Sequence, residues 1–448
     1  MGNSCTSARS AKAPPQDTME APLSRCETKE EPTAWCPSSN RLNKKGNYSV
    51  PETDAESHAM APSTTTITLI DGWTTAHTEK LRAAVKDVVA ANPILSGKVV
   101  AGERGKSLAI APAEHKSLDP ATLNIVAGPS DFEPPADIVA RCSYCQDVLG
   151  PLVPNLGNPT QQKSSGGPLF NVSIIDLPGH RAAYAVSLSR IVGDGWTYYA
   201  LIDQLNSLIN GKALEPLTWD FPEVSIEVDQ SDRDKFRTSK LMIPAAISKM
   251  VTSARRKSQF LEIVDPEPIT VLKSASRGDA AFVSTNDVVT AAVYETYRND
   301  LASIECNLRS PNRLPGLPPR IAGNFVRPAL HPRALAAGTP TFIRKRLVPP
   351  PHVFFGKNEI PFWPMAKCDI GFVNNLTSLT KFIVAPGATV SCHVLHRDHV
   401  ETAPLNVTII FHADATTILC NHNIKPADLK AAARTARLFP KVFKLPTE

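Results

Sequence analysis

The sequence predicts an α/β or α+β protein behind a flexible N-terminal arm, and three observations carry that prediction. A β-branched run at residues 64–70 leads into an amphipathic stretch over 77–91. A strand, a turn and a return strand over 170–190 lead into a second apolar-striped segment at 196–209. The first 62 residues show neither pattern and are polar, with many Pro, Ser and Glu. Strands that feed helices define a mixed α and β class, whereas a polar leader of this kind cannot bury enough apolar surface to fold.

Taken in order, the ordered part begins with a strand at 64–70, closed by the turn residues Asp71-Gly72. Leu81, Ala84, Val85, Val88 and Val89 then follow the i, i+3, i+4, i+7, i+8 spacing of one helix face. Asn92-Pro93 stops that helix, and Ile94, Leu95, Val99 and Val100 read as a strand. Strands are expected at 170–176 and 182–190, joined by a turn at 177–180. Asp194-Gly195 breaks the second strand, and 196–209 is helical, with Leu201, Leu205, Leu208 and Ile209 on one face and Asn210-Gly211 as its C-terminal cap. Residues 218–275 read as a charged crossover with a helix near 235–260; its cluster Arg255-Arg256-Lys257 reads as a solvated helix end before an anion site. A second globular region starts near Ala281. Ser284 to Asp287 supply N-cap chemistry for a helix at 288–297. Strands are expected at 303–308, 381–384, 389–394 and 405–411, and a closing helix at 426–439, whose proline suits a first turn. The division is therefore an arm (1–62), a first domain (63–225), a crossover (226–278) and a second domain (279–448).

Composition excludes several classes. With 42% hydrophobic and 20% charged residues, the chain is neither wholly disordered nor collagen-like. At roughly 100–200 residues per domain, its 448 residues allow more than one. No stretch approaches the ~20 apolar residues of a membrane-spanning helix. The net charge of +5, from 48 basic and 43 acidic residues, gives no footprint for nucleic acid. Forty prolines against twenty-two glycines imply many chain breaks. The nine cysteines are too sparse and odd in number for a disulfide framework and suit a reducing intracellular compartment. Cys142-x-x-Cys145 has no second CxxC or nearby His to complete a zinc set, and no metal is expected there. His393, His396 and His399, three apart, read as a solvated polar stretch before a helical metal face.

The chain begins MGNSCTS. Gly2 and Thr6 fit the N-myristoylation pattern, and Cys5 is placed to take a second acyl chain. One myristoyl chain anchors only marginally, and residues 1–62 hold seven Lys or Arg against eight Asp or Glu, so the second signal falls to Cys5 rather than to a basic patch. The expectation is a cytoplasmic protein held at a membrane surface by its lipidated arm. Without an apolar h-region, no secretory signal peptide is supported.

The chemistry centres on 189–197, SRIVGDGWT. By alternation Tyr184, Val186, Leu188 and Arg190 share one strand face, so Arg190 ends an apolar, inward-facing row. Gly193-Asp194-Gly195 then permits a sharp turn into a helix, which presents a polar side chain to a cleft.

This segment resembles the H-x-x-x-D-G motif of the chloramphenicol-acetyltransferase-like superfamily, which includes the BAHD acyltransferases and peptide-synthetase condensation domains. Four other stretches are similar to family motifs in the same order: Asn92 to Gly97, Ser284 to Val288, Asn307-Leu308-Arg309 with Gly323-Asn324, and Asp369 to Phe372, which resembles the start of D-F-G-W-G. The resemblance spans about residues 64–440 and is closest to the BAHD branch. It implies two similar mixed-sheet domains packed as a sandwich with a tunnel between them. It implies acyl transfer from acyl-CoA, a co-substrate rather than a bound cofactor, to a hydroxyl or amine of a small acceptor, by a monomer. The family's Asp and Gly after the His fall on Asp194 and Gly195, with Asp194 orienting local structure. Asp369 and Gly371 match D-F-G-W-G, and the resemblance pairs Asp369 with Arg309.

The chain departs from the family at the general base, because the His position holds Arg190. A guanidinium stays protonated and offers no acceptor, so it takes no proton from the attacking group. Three readings stay open: a silent member that binds acyl-CoA or an acidic ligand, an active member with another base (His412 or His422), and a local variant of an active lineage. A buried Arg190 needs a partner, either Asp194 or an anionic ligand group.

Overall fold

The computed structural model describes residues 47–50, 61–102, 108–112, 122–219, 259–276, 278, 280–296, 300–309, 317–318, 320–347, 370–397, 406–423 and 443–444. The expected helix at 426–439, most of the one at 235–260, the basic cluster at 255–257, and Gly2, Cys5, Asp369 and His399 lie outside them. All described residues belong to one unit, Pro37–Glu448.

The chain opens with β1 (Tyr48–Ser49) and β2 (Thr64–Asp71), followed by helix α1 (Thr75–Ala91). β1 falls inside the stretch expected to be a featureless arm; it pairs with a later strand and Val50 is buried beside it. The five apolar residues of the α1 stripe are all buried. Asn92 caps the helix through Val88 and Val89, and Pro93, which lacks an N–H, cannot continue it. Residues Pro93–Ser96 then form one 3-10 turn rather than the start of a strand, because Gly97 N donates to Ile94 O. β3 (Lys98–Ala101), β4 (Leu108–Ala111) and β5 (Leu123–Ala127) follow. Helices α2 (Ile138–Leu149) and α3 (Pro159–Ser165) were not expected; Asp137 and Asn158 open them by accepting from backbone amides of the first turn. β6 (Phe170–Leu177) and β7 (Arg181–Leu188) form the expected hairpin, and α4 (Gly195–Ile209) the expected helix.

In the second half β8 (Gln259–Val264) and α5 (Glu267–Ala275) occupy part of the expected crossover, so Phe260 lies in a strand and not in a helix. Next come α6 (Thr285–Thr296), β9 (Leu301–Asn307), β10 (Val326–Pro332), α7 (Arg333–Ala336), α8 (Pro340–Leu347), β11 (Ile370–Asn375), β12 (Thr389–Leu395), β13 (Asn406–His412), β14 (Ile418–Asn423) and β15 (Phe443–Lys444). Residues 381–384 are irregular, not a strand. Their amides find side chains of the first half: Ile383 N donates to Tyr184 Oη at 2.7 Å, and Val384 N to Asn206 Oδ1 at 3.0 Å.

Two mixed sheets dominate. The first has the order β12-β2-β7-β6-β5 and the second β10-β9-β11-β13-β14-β8-β15, with β1-β4-β3 as a small third sheet. β12 comes late in sequence yet pairs antiparallel with β2, with a register shift between Val390 and Cys392, so the first sheet is completed by the second half of the chain. α1 packs on α4. The main core joins β2, β7 and α4 to Leu261, Ile409, Phe411 and Leu419 of the second sheet, so the two lobes share buried surface. A second core lies between α6, α8 and the other side of that sheet. Burying one such Leu, Ile or Phe side chain contributes about 1.5–3 kcal/mol.

Candidate functional site

β7 ends at Leu188, two residues before Arg190, because Ser189 N turns to Leu169 O and Val192 N to Ser189 O. Arg190 therefore stands in the turn, not on the strand face shared by Tyr184, Val186 and Leu188, and it is partly buried. The loop of residues 320–325, from the second half of the chain, closes on this turn. Asn324 Nδ2 donates to Arg190 O at 2.9 Å, and Asp194 N donates to Gly323 O at 3.2 Å. The Cβ that Gly195 lacks would lie 3.0 Å from Leu376 of the second half. The turn of residues 189–195 thus sits where the two halves of the chain meet.

Asp194 caps α4. Its Oδ1 accepts from Thr197 N at 3.0 Å, and its Oδ2 accepts from Phe325 N at 3.0 Å and from Arg309 Nη1 at 2.8 Å. Burial pushes this carboxyl up, but the Arg309 charge and these bonds outweigh it and hold it below the usual carboxylate range. Arg309 uses all five N–H groups: Nε on Ile321 O (2.8 Å), Nη1 on Asp194 and Asn307 Oδ1 (3.3 Å), Nη2 on Thr197 Oγ1 (3.1 Å) and Gly323 O (2.8 Å). Its guanidinium lies over the Trp196 and Phe325 rings, 4.4 and 4.9 Å from their centroids. Among the described residues the ion-pair partner of Arg309 is Asp194; the expected partner Asp369 lies outside them. Gly371 is buried in β11, between β9 and β13.

Sequence reasoning missed Thr197, whose hydroxyl donates to Gly323 O at 2.9 Å while accepting from Gly323 N and Arg309. Its place three residues after an N-cap Asp was the available signal. The two rings that hold Arg309 had no signal, since stacking across lobes leaves no spacing in sequence.

The histidines divide by burial. His422 is sealed, with Thr408 Oγ1 2.7 Å from Nδ1 and Glu262 Oε2 3.3 Å from Nε2, and both acidic and imidazole side chains are 0% exposed. Desolvation raises the Glu262 carboxyl, with His422 pulling the other way. In this structure His422 exposes no nitrogen to a cleft. His412 is half-buried at the end of β13; burial lowers its pKa and Asp414 raises it. His393 is not solvated, because residues three apart on a strand face opposite ways and β12 turns it inward. Its Nδ1 meets Thr68 Oγ1 at 2.7 Å and its Nε2 meets Tyr199 Oη at 3.1 Å. Cys142 and Cys145 are buried thiols on α2, and Cys392 Sγ of β12 lies 3.5 Å from Cys145 Sγ. Among the described residues no group of three His, Cys, Asp or Glu is placed to hold a metal, and no helix is long and apolar enough to cross a membrane.

The fold, built on mixed sheets, matches that of chloramphenicol-acetyltransferase-like acyltransferases and condensation domains. In particular, the chain is similar to F. graminearum TRI101 complexed with coenzyme A and deoxynivalenol, with TM-score 0.63 and 11% identity over 89% of this chain and 99% of that one. It is similar to F. sporotrichioides TRI101 complexed with coenzyme A and T-2 (0.57, 11%, over 89% and 99%). It is also similar to the first condensation domain of the CDA synthetase (0.54, 15%, over 90% and 100%). No protein-family model matches the sequence, and no curated protein matches it.

Proposed function

We propose that the protein is acyltransferase-type and moves an acyl group from acyl-CoA to a hydroxyl or amine of a small acceptor, with turnover slowed by Arg190. The observation that carries this reading is the likeness, along 89% of the chain, to an enzyme solved with coenzyme A bound. The motif turn at the meeting of the lobes supports it, since Asp194 and Arg309 brace the segment that bears residue 190. In acyl transfer the acceptor attacks the thioester carbonyl, loses its proton, and the CoA thiolate leaves. Arg190 supplies no lone pair for that proton. Losing a general base lowers the rate by about 10²–10⁴-fold, while positioning of the two reactants is kept. The test is thiol release from a panel of acyl-CoAs with small alcohols and amines. Arg190→His is expected to raise the rate by about 10²-fold or more; an unchanged rate in that variant rejects the reading.

A second reading, a silent ligand-binding protein, is favoured by the same Arg190 and predicts acyl-CoA binding without thiol release in either form. In both readings the protein is a cytoplasmic monomer held at a membrane by acylation of Gly2 and Cys5. Gly2→Ala is expected to move it from the membrane fraction to the soluble one.

A further inference from the structure

Two arginines stand at this turn, and among the described residues only Arg309 has a carboxylate bonded to it. Asp194 spends its carboxylate on Thr197, Phe325 and Arg309, and Arg309 has no donor left. That pair is self-contained and 2–4% exposed. Arg190 stands four residues before Asp194 with its backbone pinned by Asn324 from the other lobe. Its guanidinium feels Asp194 and, from β9, Glu305, but desolvation outweighs both and lowers its pKa. Glu305 has a partner elsewhere, and among the described residues no acceptor bonds the Arg190 guanidinium. Arg190 is only partly buried, so its forked donors stay open to a bound molecule, and an anion there would replace water with charge-assisted bonds. The planar, forked donors of an arginine suit two oxygens of one carboxylate or phosphate.

We propose that Arg190 is a specificity residue that receives an anionic group, a carboxylate or phosphate, of the molecule bound where the two lobes meet. The turn that would present a base instead presents a fixed positive charge. This deepens the acyltransferase-type reading and rests on it for the donor: the anion is either a carboxylate on the acyl group or a charged group on the acceptor.

The experiment has two arms at fixed ionic strength, on wild type, Arg190→Lys and Arg190→Gln, each first checked for an unchanged far-UV spectrum and cooperative melting. In the donor arm, equilibrium binding compares succinyl-CoA with butyryl-CoA, which differ by one terminal carboxylate, and with CoA alone. In the second arm, which needs no CoA, succinate and inorganic phosphate are titrated while the melting temperature is read. Wild type is expected to prefer succinyl-CoA by about tenfold or more, or to be stabilised by the free anions. Arg190→Lys keeps part of the effect, and Arg190→Gln removes it without changing the affinity for CoA. No anion preference in either arm, or one that survives Arg190→Gln, overturns the proposal. If CoA itself fails to bind, the acyl-transfer reading falls and the free-anion arm still decides this one.

Discussion

Arg309, which follows β9, reaches the N-cap of α4 and places Nη1 2.8 Å from Asp194 Oδ2, so the two halves of the chain are tied by an ion pair with side chains 4% and 2% exposed. Removing either member strands the other. Asp194→Asn and Arg309→Met are each expected to lower unfolding free energy by about 3–5 kcal/mol. Urea denaturation measures it, and a double variant costing less than the two singles together shows the coupling. Since the Asp194 carboxyl is held below its ordinary range, its share of stability is complete above the unfolded carboxylate pKa and is lost as the pH falls further.

The turn depends on a missing side chain. A Cβ on Gly193 would sit 2.6 Å from Thr197 Cβ and Cγ2, which are not the free ends of a flexible chain. Gly193→Ala must therefore displace Thr197 and its bonds to Gly323 and Arg309. The expected loss is about 1–3 kcal/mol in the same denaturation experiment, with Gly193→Ala and Thr197→Val far from additive.

The buried imidazole of His393 predicts a pH dependence. Burial, then the charge of His412, pushes its pKa down to about 3 from 6.5, with Thr68 and Tyr199 hydroxyls on its two nitrogens. The unfolded chain therefore binds a proton below pH 6.5 that the native chain refuses. Stability from this group is fully present above 6.5 and declines as pH falls towards 3, by up to about 1.4 kcal/mol per pH unit. Denaturation between pH 7 and 5, before carboxylates titrate, reads it; His393→Gln is expected to flatten the slope, and His412→Asn serves to separate the second imidazole.

The thiols where α2 packs on β12 report on docking of that late strand. Hydrogen bonding to Cys392 and burial hold Cys142 and Cys145 above the ordinary thiol range, while the same bonds hold Cys392 below it, so Cys392 is protected by its burial alone. Iodoacetamide is expected to leave Cys142, Cys145 and Cys392 unlabelled in native protein and to label all three in denaturant, as mass spectrometry of peptides shows. Rapid native labelling would mean that β12 leaves the first sheet easily.

Local patterns were legible where one element made its own signal. The α1 stripe, the β6–β7 hairpin and the Asp194-Gly195 start of α4 all rest on spacing within a few residues, and the structure has each of them. Residues 381–384 were misread because their β-like composition satisfies its amides on Tyr184 and Asn206 instead of on a neighbouring strand. β8 and β14 were not expected, since Glu262 and His422 interrupt the apolar pattern, and only their mutual burial removes both from solvent. Arg190 was placed on a strand by alternation, but the turn that ends β7 is made by bonds to Leu169 and Ser189.

What the chain's own order of residues determined is the class of elements, the sharp turn at Gly193-Asp194-Gly195 and the presence of a cation, Arg190, just before that turn. Those follow from backbone conformational preference and from a guanidinium's chemistry, both of which act over a few bonds. Only the assembled protein decided that Asp194 belongs to Arg309, that β12 completes the first sheet, and that His393 and His422 are sealed. Each of those is a contact between residues more than a dozen and often more than a hundred positions apart, chosen by which polar groups can be satisfied once the surrounding apolar surface has closed over them.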